Sequence, residues 1–248
     1  MRNFEFATIR VSNYGKKEIA DECAANAINP EIGLHYHFLN TYVMQMALND
    51  AKLREVLNSD GARCVFDGKP LVILSKLFKN RQYRMEQIRG VDFMRYMFSK
   101  DSQENLKHFL LGGSVETLET LVDILSLNAN IAGSFSPPFV PTSELDLTEI
   151  VAKIVDSGAN VIWVGLGTPK QDFVAHRISN LTNLPTLCVG AAFDFLAGSV
   201  PEASRAFRIL GLEWLFRLSA DPRRLWRRYL IGNWSIIKIL TKMLKTHP

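Results

Sequence analysis

Apolar runs alternate with helix-patterned segments along most of this chain, and this alternation constrains the fold more than any other feature. Short apolar runs typical of buried strands occupy residues 6–11, 34–39, 64–66, 108–111, 130–134, 161–164 and 186–189. Helical patterns occupy residues 16–27, 41–57, 91–98, 115–125, 146–156 and 171–179. Such alternation is typical of a parallel sheet covered by helices. We therefore predict an α/β, Rossmann-like fold with a mostly parallel sheet and helices on both faces.

A glycine turn between the run at 161–164 and the next helix is the strongest site signal. The turn contains Gly165, Gly167 and Thr168, and Gln171 opens the helix. Strand–turn–helix junctions bind phosphate groups through backbone N–H groups and the helix dipole. Lys170 stands where the dinucleotide fingerprint has its third glycine, so that fingerprint is incomplete. These four residues are candidate ligand contacts, although glycines at such a junction also serve as plain turn residues.

Two more polar side chains follow predicted strands. Asp67 comes directly after the apolar run that ends at Phe66, and Asn40 lies between a strand and a helix. Since α/β sheets place ligands at the carboxyl ends of their strands, both are candidate site residues. The alternatives are local, because Asp67-Gly68 is also a turn signal and Asn40 also suits a helix N-cap.

A metal site has little support in the sequence. His35 and His37 alternate on one predicted strand and can share a face, but no third ligand is evident beside them. No strict Asp-x-Asp pair occurs, although many nucleotide-sugar enzymes hold a divalent ion on such a pair. We therefore expect neither a metal nor another cofactor. Cys23, Cys64 and Cys188 are scattered in apolar contexts and predict reduced core thiols in a cytosolic protein.

Residues 205–248 differ in character from the rest of the chain. They contain ten basic and two acidic residues, a net charge of +8; because the whole chain carries +4, residues 1–204 carry −4. Trp, Leu and Ile side chains form an apolar stripe between the basic residues. This combination is typical of a helix at an anionic membrane surface, and the alternative is a helix packed on the body with a solvated basic face.

The domain prediction follows from this change. We expect an α/β core at residues 1–204, which allows two fused subdomains, and a helical membrane-docking appendage at residues 205–248. No run of about eighteen uncharged apolar residues predicts a membrane-spanning helix. The first residues do not have the pattern of a signal peptide.

Four motifs resemble those of the WecG/TagA/CpsF bacterial glycosyltransferases. The motifs are GLGTPKQD at 165–172, VGAAFDFLAG at 189–198, GLEWLFRL at 211–218 and DPRRLWRRY at 221–229. Asn40, Asp67-Gly68 and Gly90-Val91-Asp92 match earlier positions of the family. The resemblance covers roughly residues 5–232, and the four motifs together are highly specific.

The resemblance implies an inverting glycosyltransferase of cell-surface polysaccharide synthesis. The implied donor is a UDP-sugar of N-acetylmannosamine type or a related hexose or uronic acid, and the implied acceptor is an undecaprenyl-diphosphate-linked saccharide. It also implies a metal-independent enzyme, peripheral on the inner face of the bacterial cell membrane. The partners we expect are the donor, the lipid-diphosphate-linked acceptor and an anionic membrane surface, with no nucleic acid; a homo-oligomer is allowed.

By position, the resemblance also implies roles for individual residues. Asp67 matches the family's proposed general base, whereas Asn40 and Gln171 match residues thought to contact donor or acceptor. The family usually has an arginine where this chain has Gln87, so we expect Arg89 or a tail arginine to supply that charge. The matching tail motif belongs to an appendage that touches the membrane and helps close the site. Of its four arginines, the candidate substrate contacts are Arg224, Arg227 and Arg228.

Two other classes of protein share parts of these patterns. A nucleotide-binding, Rossmann-type oxidoreductase needs a fuller glycine fingerprint and a ribose-binding acid about twenty residues further on, and neither is evident. A nucleic-acid-binding module would use the basic tail, but the Trp/Leu/Ile stripe suits lipid better than a phosphate backbone alone.

Overall fold

The central element of the protein is a six-stranded parallel sheet. The computed structural model describes residues 3–77, 85–99, 105–204, 207 and 213–220, together with 222, 223, 226, 239 and 241. The strands are β1 Asn3–Phe6, β2 Ile9–Ser12, β3 His35–Leu39, β4 Ala62–Phe66, β5 Lys107–Gly112, β6 Asn130–Phe135, β7 Val161–Gly165 and β8 Thr186–Cys188. The sheet order is β4-β3-β8-β7-β5-β6, with every pair parallel, and β1 and β2 form a separate antiparallel hairpin. The predicted α/β class is confirmed.

Helices cover both faces of this sheet. They are α1 Lys16–Ile28, α2 Thr41–Asn49, α3 Ala51–Asn58, α4 Lys69–Leu77, α5 Gly90–Met97, α6 Val115–Leu125, α7 Leu147–Ser157, α8 Lys170–Thr182, α9 Ala192–Leu196 and α10 Glu213–Ala220, with a 3-10 turn at Thr142–Glu144. Because successive strand side chains point to opposite faces, Trp163 and Leu187 pack with α1, α5 and α6. Their neighbours Ile162 and Cys188 pack with α7 and α8 on the other face.

Two predicted elements are divided in the structure. Residues 6–11 are not one strand, because Ala7 and Thr8 adopt positive φ angles of 49° and 81° and turn the chain between β1 and β2. Residues 41–57 form two helices rather than one. Asp50 accepts hydrogen bonds from the Lys52 and Leu53 N–H groups, so it caps α3 and ends α2.

Two helices were not predicted. α4 carries the continuous apolar run at residues 71–74. Such a short run does not distinguish a helix from a buried strand. α9 has only five residues and lies within the VGAAFDFLAG motif at 189–198. The remaining predicted elements are present, with ends that differ by at most three residues.

The predicted appendage falls largely outside the described residues, so its boundary and its docking role stay predictions. Ile239 is 0% exposed and packs with Phe6, Leu39 and Phe66, so this position of the tail lies against the body. Trp226 is 45% exposed. None of the helices in the described part of the chain combines the length and apolar character needed to cross a membrane.

Candidate functional site

A cleft of about 320 Å³ opens at the carboxyl ends of β3, β4, β7 and β8. This is the edge where parallel sheets bind ligands, because strand ends and helix N-termini converge there. The structure brings seven predicted site residues together in its wall: Asn40, Asp67, Arg89, Gly165, Gly167, Thr168 and Gln171. The other three predicted residues, Arg224, Arg227 and Arg228, lie outside the described residues.

Asp67 is fixed between two strand ends and a helix N-terminus. Its backbone N–H donates to the Leu39 carbonyl at 2.8 Å, which joins the end of β4 to the end of β3. Its Oδ1 accepts a hydrogen bond from the Gly90 N–H at 3.1 Å, at the start of α5. A helix N-terminus stabilises a carboxylate, so this contact holds the Asp67 side chain at the start of α5. Gln87, at the family's usual arginine position, donates to the Asp67 carbonyl at 2.7 Å.

Asn40 is the N-cap of α2, as the local interpretation predicted. Its Oδ1 accepts hydrogen bonds from the Tyr42 and Val43 N–H groups at 3.0 and 3.1 Å. Within the described residues no hydrogen bond involves its Nδ2, which leaves that donor for a ligand in the cleft. Gly68 lies close to Asn40: a Cβ there would be 3.1 Å from the Asn40 Cα, so a larger residue would require a shift of the backbone at Asn40.

Gln171 organises the turn between β7 and α8. Its Oε1 accepts from the Gly167 N–H at 3.1 Å, and its Nε2 lies 3.3 Å from both the Thr168 hydroxyl and the Cys188 carbonyl. The side chain is 6% exposed and spans from the turn to the end of β8. Gly167 has a φ of 75°, a conformation that favours glycine. The predicted phosphate-binding N–H of Gly167 is therefore bonded to Gln171, and a direct ligand contact of either residue stays a prediction.

Arg89 is neutralised by acidic side chains. It is 6% exposed, and its guanidinium lies 3.0 Å from Asp92, 2.8 Å from Glu202 and 3.2 Å from Glu213. Burial alone would lower the pKa of Arg89, but the nearby carboxylates outweigh burial and raise this pKa. Arg95 pairs with Glu202 at 2.8 Å, so among the described residues two arginines face three carboxylates. Arg89 therefore lines the cleft without a surplus charge, and it fastens the segment around α10 to α5.

The same cluster perturbs Glu202. Its partial burial raises the pKa, but hydrogen bonds from Arg95 and Arg89 outweigh that effect and lower the pKa to about 2. Glu202 is consequently charged at any pH near neutrality. Sequence reasoning missed this cluster, because Glu202 and Glu213 lie more than a hundred positions beyond Arg89 in the chain.

A buried chain of polar side chains runs behind the cleft. His37 Nδ1 lies 2.7 Å from Asp172 Oδ1, and His37 Nε2 lies 2.7 Å from His35 Nδ1. His35 Nε2 lies 3.0 Å from the Ser59 hydroxyl and 3.2 Å from His176 Nδ1. Burial lowers the pKa of His35 to about 2, with smaller contributions from His37 and His176. The expectation that His35 and His37 share a face is confirmed.

The structure supplies the neighbours of His37 that the sequence did not reveal. The potential ligand atoms of His37, Asp172 and Cys188 lie within 4.8 Å of one another, and all three residues are buried. Both ring nitrogens of His37 are already in hydrogen bonds.

Cys23 and Cys64 are free and buried, as is Cys188, which confirms the prediction of reduced core thiols.

Fold and cleft together define a parallel α/β protein with a polar cleft at the carboxyl edge of its sheet, where sheets of this kind bind ligands. The family model for the glycosyl transferase WecG/TagA/CpsF family matches residues 4–247. The chain belongs to this family and is a glycosyltransferase, which requires a sugar donor and an acceptor. The resemblance seen in the four motifs is thereby confirmed.

Proposed function

We propose that this protein is an inverting, UDP-sugar-dependent hexosyltransferase that extends an undecaprenyl-diphosphate-linked saccharide in cell-surface polysaccharide synthesis. The donor sugar is of N-acetylmannosamine type or a related hexose or uronic acid. The observation that carries the proposal is a carboxylate, Asp67, held beside a helix N-terminus in a cleft that faces the glycine turn at 165–168. A proton acceptor and an anion-binding junction are what this reaction needs.

Asp67 acts as the general base in this reaction. It accepts the proton of the acceptor hydroxyl while that oxygen attacks the anomeric carbon. The bond between the anomeric carbon and the UDP oxygen breaks at the same time, and UDP leaves with the bonding electrons. The hydrogen bond from Gly90 to Oδ1 sets the direction of the carboxylate during the attack.

The departing UDP needs stabilisation without a metal. The Thr168 and Lys170 N–H groups at the start of α8 and the helix dipole supply part of it. The Nδ2 donor of Asn40 offers a further contact from the opposite wall. Because Arg89 is balanced by three carboxylates, the remaining positive charge comes from Arg224, Arg227 and Arg228 in the tail.

The acceptor determines where the enzyme works. A saccharide on a polyprenyl diphosphate stays at the inner face of the cell membrane, and a basic appendage with an apolar stripe docks there. We propose this peripheral location for the protein. A screen of UDP-sugars against a short-chain lipid-diphosphate acceptor tests the activity, and NMR of the product reports the anomeric configuration. One UDP-sugar should give product with inverted configuration; a screen without product, or retention, contradicts the proposal.

Transfer is expected to continue in excess EDTA. The reason is that the proposed chemistry assigns leaving-group stabilisation to backbone N–H groups and arginines. Initial rates with and without chelator, each measured at saturating donor, provide the check. Activity that disappears with EDTA and returns with Mg²⁺ or Mn²⁺ would show that a metal takes part.

Replacing Gln171 with alanine is expected to raise the KM for the donor by about tenfold, a loss of ~1.4 kcal/mol. The substitution removes the hydrogen bonds that hold Gly167 and Thr168 in the cleft wall. Thr186→Val is the control, since it removes a buried hydrogen bond at the amino end of β8. The two variants should lose similar melting temperature, and only Gln171→Ala should change donor kinetics. An unchanged donor KM would leave Gln171 as a turn residue alone.

A further inference from the structure

The first turn of α8 is anchored by side chains that point in three directions. The helix begins after Pro169 without a side-chain cap. Lys170 Nζ donates to the Val140 carbonyl at 2.8 Å, and Gln171 bonds within the turn and to β8. Asp172 points to His37 on β3 at 2.7 Å. The position of Gln171 in the cleft therefore depends on its two neighbours in sequence.

Asp172 places a buried carboxylate in the first turn of α8. A carboxylate in the first turn stabilises a helix, but it also opposes any second anion at the same helix end. Asp172 is 2% exposed, and its Oδ2 has no hydrogen-bond partner in the described structure. A buried carboxylate is costly unless it is paired. The hydrogen bond to His37 is the contact that offsets this cost and keeps the carboxylate directed into the core.

The hydrogen-bond partners of His37 indicate which of its ring nitrogens carries a proton. One proton must lie in the contact between His37 Nε2 and His35 Nδ1, and one in the contact between His37 Nδ1 and Asp172 Oδ1. His35 in turn meets the Ser59 hydroxyl and the partly exposed His176. Because a carboxylate accepts hydrogen bonds, we assign the proton of the second contact to His37 Nδ1, as a carboxylate partner fixes the tautomer of other histidines.

We propose that His37 is a positioning residue of the donor site. Its hydrogen bond to Asp172 fixes the first turn of α8 and turns the Asp172 charge away from the cleft, so that Gln171 and the helix N-terminus can bind the donor diphosphate. The inference rests on the proposed function, because that places the donor at the β7–α8 turn. Small displacements of such groups matter, since a shift of about 1 Å in a site can cost about 10²-fold in rate.

The test compares two substitutions of His37. Asparagine places an N–H near the position of the histidine Nδ1, whereas glutamine places it near Nε2. His37→Asn should bind UDP within about threefold of the parent, and His37→Gln should bind it about tenfold more weakly. Calorimetric titration with UDP gives the Kd, and the KM for the acceptor should stay unchanged in both variants. Equal UDP affinity in parent, Asn and Gln variants would overturn the proposal.

Two further measurements separate positioning from general stability. His108→Phe removes another fully buried histidine, whose Nδ1 accepts from Trp163, and it should lower the melting temperature without changing UDP affinity. Adding Asp172→Asn to His37→Gln removes the uncompensated charge and should restore at least about threefold of the lost affinity. If the effects of His37→Gln and Asp172→Asn on UDP affinity simply add in the double variant, the proposal is wrong. It is also wrong if the parent binds one equivalent of zinc and the His37 variants do not. A parent that does not bind UDP contradicts the proposed function instead.

Discussion

Asp67→Asn is expected to lower turnover by about 10²–10⁴-fold while the protein stays folded. Asparagine keeps an oxygen that can accept the Gly90 N–H, so the junction of β4 with α5 persists. Its amide cannot take the proton of the acceptor hydroxyl, and the attacking oxygen must then lose that proton without a base. The measurement is kcat at saturating donor and acceptor, together with the melting temperature.

Asp146→Asn provides a matched control for this variant. Asp146 also accepts a backbone N–H at a helix start, from Glu149 at 3.0 Å, but it caps α7 and does not line the cleft. Both variants should lose a similar, small amount of stability, and only Asp67→Asn should be slow. Near-normal turnover of Asp67→Asn would remove the general base from the mechanism.

Replacing Arg223, Arg224, Arg227 and Arg228 together with glutamine is expected to release the protein from anionic liposomes. Each basic residue near an anionic surface contributes about 1 kcal/mol, so the loss of four weakens binding by orders of magnitude. Parent binding should fall steeply with salt, because exposed charges are screened within about 10 Å at 0.1 M. Co-sedimentation at several salt concentrations measures both effects. If these arginines also reach the diphosphate, the variant should be slow even on a water-soluble acceptor.

The control removes the same charge elsewhere, from four exposed lysines of the body: Lys17, Lys52, Lys76 and Lys107. Liposome binding should survive in this protein, because the lysines lie outside residues 205–248. Truncation after Glu202 should be more severe than the arginine variant, since it removes Ile239 from the core and Glu213 from Arg89. A truncated enzyme that binds liposomes and transfers sugar at the parent rate would contradict the docking and the catalytic role together.

The sequence predicted the cleft where local signals coincide with topology. Gly165 and Gly167 follow an apolar run and precede a helix, so they mark a strand end without knowledge of any other strand. For Asn40 and Asp67 the sequence allowed both a local structural role and a place in the site. For Asn40 the structure shows that the two are compatible, because it caps α2 and also lines the cleft. A parallel sheet then brings these strand ends to one edge.

The contacts that the sequence did not reveal are those between distant positions. Arg89 was one of two expected sources of positive charge for the donor, beside the tail arginines. No local pattern shows that Glu202 and Glu213 contact Arg89 across 113 and 124 positions. His37 and Asp172 are 135 positions apart and meet because helix α8, which carries Asp172, packs against β3 and β8. The β1–β2 turn was missed because Ala7 and Thr8 adopt positive φ angles without a glycine or asparagine to signal them.

The strand order has a consequence for how this enzyme comes into existence. β8, only three residues long, lies between β3 and β7 and pairs with both. Asn40 and Asp67 follow strands on one side of it, whereas Gln171 follows a strand on the other. Residues 186–188 are synthesised after all of these residues, and without β8 the strands that precede it form two groups with no common edge. The cleft therefore requires that residues 186–188 pair with both β3 and β7 and join the two groups into one sheet.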